Sequence, residues 1–184
     1  MTDTGTLFTK IIKCFTNAPY NHASIVFDER FEEIYSFGRK HPKNPLMAGF
    51  IKEDVYLGTY RYFHNTRCRL VKIGVSSEEY FRIRNVIQSF TANSDRYSYN
   101  FLGLLGVVVG YPINQRDKYF CSQFVAEVFI KSGIKLWDLL PALVTPNHFS
   151  THPRFELVYE GPLYEYPLLD PMRLTNHETS FEYS

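Results

Sequence analysis

Tyr119-Phe120-Cys121-Ser122-Gln123-Phe124-Val125-Ala126-Glu127-Val128-Phe129 is the stretch whose reading decides the fold. Phe124, Val125, Val128 and Phe129 recur at helical spacing, so a helix is expected with these side chains on its buried face. Lys131 stands near its end and Gly133 just past it, which marks a C-terminal stop. Cys121 then falls just before the helix or in its first turn. Free backbone N–H groups and the positive end of the helix dipole would point at it there and favour the thiolate. Two readings are open at this point. A thiolate so placed is a nucleophile, whereas a free cysteine next to an apolar helix face is also a common small buried hydrophobe.

Composition narrows the classes. The chain has 184 residues, 45% of them hydrophobic and 17% aromatic, which fits one globular domain over 1–184 with a good core. The net charge is +1, with acidic and basic residues interspersed, so no nucleic-acid tract is evident. Cys14, Cys68 and Cys121 are odd in number and widely spaced, which fits neither a disulfide framework nor a zinc site. No cofactor or metal is implied. Met1-Thr2-Asp3-Thr4-Gly5 lacks a positive region followed by an apolar one, so no export signal is expected. Phe101 to Tyr111 is the longest apolar run, too short to span a bilayer and interrupted by Gly103, Gly106 and Gly110. These features predict a protein of the reducing cytoplasm with no transmembrane segment. They leave its oligomeric state open.

Outward from the cysteine helix, the chain predicts strands and helices that are segregated rather than alternating. Thr6 to Phe15 reads as a short helix carrying Cys14 and ended by Asn17-Ala18-Pro19. His22 to Phe27 and Phe31 to Phe37 read as a hairpin around Asp28-Glu29-Arg30, the second strand stopped by Gly38. A three-residue loop would set Phe27 opposite Phe31 and His22 opposite Ser36 on one face. A loop longer or shorter by one residue would move that partner to Tyr35 or Phe37. Arg39 to Pro45 reads as a surface loop. Val55 to Phe63 and Arg67 to Val75 read as strands. Ser76-x-x-Glu79 is a capping box that opens a helix through about residue 92. Phe101 to Tyr111 reads as a short buried helix. Thr145-Pro146 starts another short helix, Phe155 to Tyr159 is a further strand, and the proline-bearing tail from Gly161 reads as irregular. The pattern is α+β with an antiparallel sheet.

A nucleophilic thiol needs a base that returns a proton to the leaving group, and histidine suits that near neutral pH. His41, His64, His148, His152 and His177 fall in loops, short turns or the tail, where solvated surface positions are the default. His22 differs, because it opens an apolar strand. It is either the base or a strand-end histidine satisfied by a backbone carbonyl.

The residues also carry a resemblance. Asn21-His22-Ala23-Ser24-Ile25, Tyr99-Asn100-Phe101-Leu102-Gly103, the Tyr119 to Val125 segment, and Val144-Thr145-Pro146 with Phe149 occur in one order. Together they resemble the circularly permuted NlpC-type cysteine peptidases, closest to the YiiX-like branch, over about residues 20–160. The resemblance implies a permuted papain-like fold, an antiparallel sheet or barrel packed against helices, with the nucleophile at a helix N-terminus. It implies Cys121 as nucleophile, His22 as general base and acid, and a third polar residue on the next strand that orients the imidazole.

That third position matches Ser36, where the family often carries His, Glu, Asn or Gln. A serine holds the ring without a charge to stabilise an imidazolium. Glu33 is the charged alternative but points to the other face unless a bulge intervenes. The backbone N–H of Cys121 and the Tyr99 hydroxyl would be the oxyanion donors, although Tyr99 reads equally as a core tyrosine. The implied activity is that of a cysteine hydrolase of peptidase or amidase type, working through a thioester on a small peptide, amide or acyl substrate. The alternatives are a thiol acyltransferase or lipid amide or ester hydrolase, and a catalytically weak papain-like binding module.

Overall fold

A computed structural model describes residues 1–4, 19–41 and 44–175. The helix expected over Thr6 to Phe15, with Cys14, and the tail histidine His177 lie outside the described residues. The chain is mixed α+β. Its strands are β1 (Thr2–Asp3), β2 (Ile25–Val26), β3 (Ile34–His41), β4 (Asn44–Glu53), β5 (Arg67–Ile73), β6 (Ser98–Tyr99), β7 (Lys118–Tyr119) and β8 (Phe155–Pro162). Its α-helices are α1 (Gly58–Tyr62), α2 (Ser77–Ala92), α3 (Phe101–Val109), α4 (Cys121–Lys131), α5 (Pro146–Thr151) and α6 (Pro171–Thr175). Two three-stranded antiparallel sheets run in the orders β2-β3-β4 and β1-β5-β8, and β6 pairs with β7 in parallel.

The helices begin and end where local chemistry directs. Ser76 Oγ accepts the Glu79 N–H at 3.1 Å while Glu79 accepts the Ser76 N–H at 2.7 Å, closing the capping box of α2. Asn100 caps α3 by accepting the Gly103 N–H at 2.8 Å. At the end of α4, Gly133 turns left-handed with φ 79°, and the Ile134 N–H reaches back to the Phe129 carbonyl at 2.9 Å. A glycine is needed there because an L side chain resists that backbone region.

Two clusters of buried side chains hold the sheets to the helices. One joins Phe37 and Phe50 of β3 and β4 to Ile83, Ile87 and Phe90 of α2 and to Phe124 and Val128 of α4. Phe90 meets Phe124 edge-on at 5.1 Å between centroids and stacks on Phe50 at 5.7 Å, both arrangements that ring quadrupoles allow when the stack is offset. The other joins Phe31, Ile34, Tyr56, Tyr60 and Cys68 to Leu163, Tyr166 and Leu169. The tail from Gly161, expected to be irregular, therefore supplies part of a core through a short 3-10 turn at Leu163–Glu165 and through α6.

Several expectations need correction. Asp28 takes the N–H groups of Arg30, Glu32 and Glu33 onto its carboxylate at 2.9, 3.0 and 2.8 Å. Phe31 turns to φ 61°. The hairpin loop is thereby two residues longer than expected, and Ile25 faces Tyr35. His22 is thus not opposite Ser36, but a shift of two keeps every side chain on its face. Gly38 does not stop the strand. β3 runs on to His41 and pairs with β4, so residues 39–41 are strand rather than loop, and β4 itself was not expected.

Val55 to Phe63 is not a strand either. Val55, Tyr56 and Tyr60 bury themselves in the second core, Tyr60 from the short α1, whose first residue is the left-handed Gly58. Tertiary burial overrides local β propensity there. The apolar run after Asn100 is helical as expected but not buried. Leu105 is 61% and Val109 74% exposed, while Gly103 and Gly106 face inward. Gly106 has to be small, because an added Cβ would stand 2.4 Å from the Tyr111 carbonyl oxygen.

Candidate functional site

Cys121 is the first residue of α4, separated from β7 only by the N-cap residue Phe120. The β6–β7 pairing sets Tyr99 beside Tyr119, and this carries the Tyr99 hydroxyl to 4.0 Å from the Cys121 sulfur. Asn100 ties the two segments together, donating to the Ile113 carbonyl at 2.9 Å and to Gln123 at 3.4 Å.

His22 comes from a segment about 100 residues earlier in the chain. Thr2 pairs with its backbone, accepting the His22 N–H at 3.2 Å and donating to the His22 carbonyl at 3.0 Å. The preceding Asn21 carbonyl oxygen lies 3.8 Å from the Cys121 sulfur. Cys121 and His22, far apart in the chain, are thus brought together. Cys121 is only 2% exposed, and the His22 ring keeps 20% of its surface.

The imidazole has a partner that sequence reasoning missed. His22 Nε2 donates to Glu53 Oε1 at 2.6 Å. Nδ1 is then the ring nitrogen left to serve the thiol. Glu53, at the end of β4, is buried and takes three further bonds. It accepts from Ser24 Oγ at 3.0 Å, from the Tyr60 hydroxyl at 2.7 Å and from Ser36 Oγ.

Ser36 therefore holds the carboxylate that holds the imidazole, which corrects its expected place directly against the ring. Glu33 is on the far side, as alternation requires, paired with Arg84 and accepting from the Tyr35 hydroxyl at 3.0 Å. The signal that could have found Glu53 is the pairing of Ser36 with Ile51, which sets Glu53 near the end of the same strand as the neighbour across from Ile34. Reading residues 39–45 as loop hid it.

Electrostatics follow from this arrangement. Burial by itself would push the Glu53 carboxyl up. The charge and hydrogen bond of His22, with the hydroxyls of Ser36 and Tyr60, instead bring it down to about 2. Burial would likewise push His22 down, but the Glu53 charge and the neighbouring Cys121 raise it to about 10. Burial opposes ionisation of Cys121 too. His22, the Ala23 backbone and Tyr99 overcome it and lower the thiol below its ordinary value. The arrangement favours a thiolate facing an imidazolium backed by a carboxylate. Tyr99 goes the other way, raised by burial and by the adjacent sulfur, and so keeps its proton as a donor. Cys68 has no such company. Burial raises its thiol to about 11.

No protein-family model matches the chain, and no curated protein matches it in sequence. A cleft of about 290 Å³ opens beside Asn21, His22 and Tyr99, near the lower end of the range for small-molecule sites. Among the described residues, no group of three or more His, Cys, Asp or Glu is placed to hold a metal ion. No described helix is long and apolar enough to cross a membrane.

Proposed function

We propose that this chain is a cysteine hydrolase of peptidase or amidase type with a permuted papain-like arrangement. Cys121 is its nucleophile, His22 its acid and base, and Glu53 the residue that positions His22. The observation that carries this reading is the relay from Glu53 through His22 to a thiol at a helix N-terminus, with both charged partners of the imidazole shifted toward their ionised forms. A thiol kept only for packing has no use for a buried carboxylate and histidine behind it.

The chemistry runs in two halves. The Cys121 thiolate attacks the substrate carbonyl carbon and a C–S bond forms. The carbonyl oxygen becomes an oxyanion facing the backbone N–H of Cys121, which is free of helix bonding in the first turn, with the Tyr99 O–H as second donor. As the oxyanion collapses, the bond to the leaving amine or alkoxide breaks, and that group takes the proton of the His22 imidazolium. The now neutral imidazole draws a proton from water, whose hydroxyl adds to the thioester. The acid product leaves, and Cys121 is again a thiolate beside protonated His22.

Trapping tests this reading. Mixing the protein with 4-nitrophenyl acetate and quenching in acid should leave an acetyl group on Cys121 by peptide mass mapping, released on longer incubation. The Cys121→Ala protein should release nitrophenolate no faster than buffer. Acetylation of other residues with none on Cys121 would overturn the proposal.

Gly38 gives an independent check on geometry. A Cβ there would stand 3.2 Å from Ile51 Cδ1, 3.3 Å from Ser36 Oγ and 3.5 Å from His22 Cε1. The branches of valine reach further and would press the imidazole off Glu53. Gly38→Val is expected to lower kcat by about 100-fold, the usual cost of a misplacement near 1 Å. An unchanged kcat in a folded variant would show that the ring does not depend on this clearance.

A further inference from the structure

The outward side of α3 is apolar and exposed. Leu102, Leu105 and Val109 recur at helical spacing and form one stripe, which Tyr111 extends just past the helix end. None of the nine residues of α3 carries a polar side chain. The helix cannot turn this stripe inward. Gly103 lies against the Asn100 side chain and Gly106 against the Tyr111 carbonyl and Ile113, so the inner side has no room for anything larger than hydrogen. The 111–113 segment is tied there by the Tyr111 N–H, which donates to the Gly106 carbonyl at 2.9 Å, and by Asn100, which donates to the Ile113 carbonyl.

What covers the stripe follows from its chemistry. A protein partner asks for about one hydrogen bond per 100–200 Å² of interface, and α3 offers no polar side chain to make one. Four apolar side chains also fall short of the roughly 800 Å² per partner that a stable protein interface buries. Hydrocarbon asks for neither. At about 1.5 Å per residue α3 is about 14 Å long, half the roughly 30 Å of a bilayer core, so it would lie along a membrane surface and not through it. Tyr111 joins an apolar ring to a hydroxyl, which suits the headgroup level. Charge points the same way. The segments beside the start of α3 carry Lys40, Arg96, Arg116 and Lys118 against Asp95 and Asp117, so cations are in excess there.

We infer that α3 seats the protein on an anionic lipid bilayer. The stripe enters the edge of the hydrocarbon and the cations meet the headgroups. Tyr99 and Asn100 lead directly into the helix, and Phe101 lines the cleft, so docking in this way brings the rim of the cleft to the membrane surface. The inference stands apart from the hydrolase reading, because the contact uses neither Cys121 nor His22.

Co-sedimentation of the whole protein with unilamellar vesicles tests this. The protein should bind vesicles made of equal parts phosphatidylcholine and phosphatidylglycerol, and should bind phosphatidylcholine alone about ten-fold more weakly, since each basic residue near an anionic surface adds attraction. Replacing Leu105→Ser and Val109→Ser together should lower partitioning about 30-fold, through the loss of two apolar anchors. Arg116→Glu should weaken binding to the mixed vesicles and leave binding to phosphatidylcholine as it was. Leu157→Ser with Val158→Ser, an exposed apolar pair on β8, controls for general stickiness and should bind like the parent. Thermal melting of each variant shows that it is folded.

No binding to either vesicle, equal losses in the α3 and β8 pairs, or binding indifferent to lipid charge would overturn the inference. So would a dimer of the lipid-free protein in sedimentation velocity that the α3 pair dissolves, because a second copy of the chain would then cover the stripe.

Discussion

Glu53→Gln should lower turnover on any accepted ester or amide by about 10³–10⁴-fold, whereas Ser36→Ala should cost about ten-fold. The carboxylate of Glu53 lies 2.6 Å from His22 Nε2 and is the charge that holds the imidazolium. Glutamine keeps the shape but loses the charge, and its amide can present a donor to a ring nitrogen that must itself donate. Ser36 acts one step further out and shares its task with Ser24 and Tyr60.

The pH profile separates these roles. His22 is raised by Glu53 to about 10, so the working ion pair is present below that value and is lost as pH rises through it. Removing the charge lowers the His22 pKa and moves the alkaline limb of kcat/KM toward neutrality in Glu53→Gln. In Ser36→Ala it should stay near its original place. The opposite ranking, a large loss in Ser36→Ala with Glu53→Gln near parent activity, would contradict the assignment.

Iodoacetamide at pH 6 should alkylate Cys121 at least about 100-fold faster than Cys68. The two thiols are a matched pair in one molecule. Both are buried, yet burial raises Cys68 to about 11 while His22 outweighs burial at Cys121 and lowers it. Thiolate fraction sets the rate, so the contrast is widest in mild acid and narrows as pH rises toward the Cys68 value. His22→Ala should abolish the contrast by removing the cation beside the sulfur. Peptide mass mapping over pH 5 to 8 checks this, and equal labelling of both cysteines would show that Cys121 carries no special thiolate character.

The legible parts of the molecule were those whose cause is local. The α4 helix announced itself by apolar spacing from Phe124 to Phe129, its stop by Gly133, and α2 by the reciprocal chemistry of Ser76 and Glu79. The face of Ser36 could be read because strand alternation survives an even error in loop length. What escaped depends on distant partners. Nothing near Asp28 in sequence says that its carboxylate will gather three N–H groups and lengthen the turn. Pro45 and Gly49 broke the strand signal of β4, whose pairing with β3 is set by tertiary contact, and with β4 went Glu53. The apolar run of α3 reads as a buried helix, whereas Leu102, Leu105, Val108 and Val109 face outward and Gly103 and Gly106 inward.

The bond network around His22 also bears on how the protein is made. Thr2 holds the histidine backbone, Glu53 its ring, and the Asn21 carbonyl meets the Cys121 sulfur across 100 positions of chain. Contacts of such sequence separation close late, because the loop entropy must be met before they form. Until α4 docks against β3, Cys121 has no imidazole beside it and is an ordinary thiol. A nascent or half-folded chain should therefore lack a fast-reacting thiol, and the appearance of one would serve as a clock for the last step of folding.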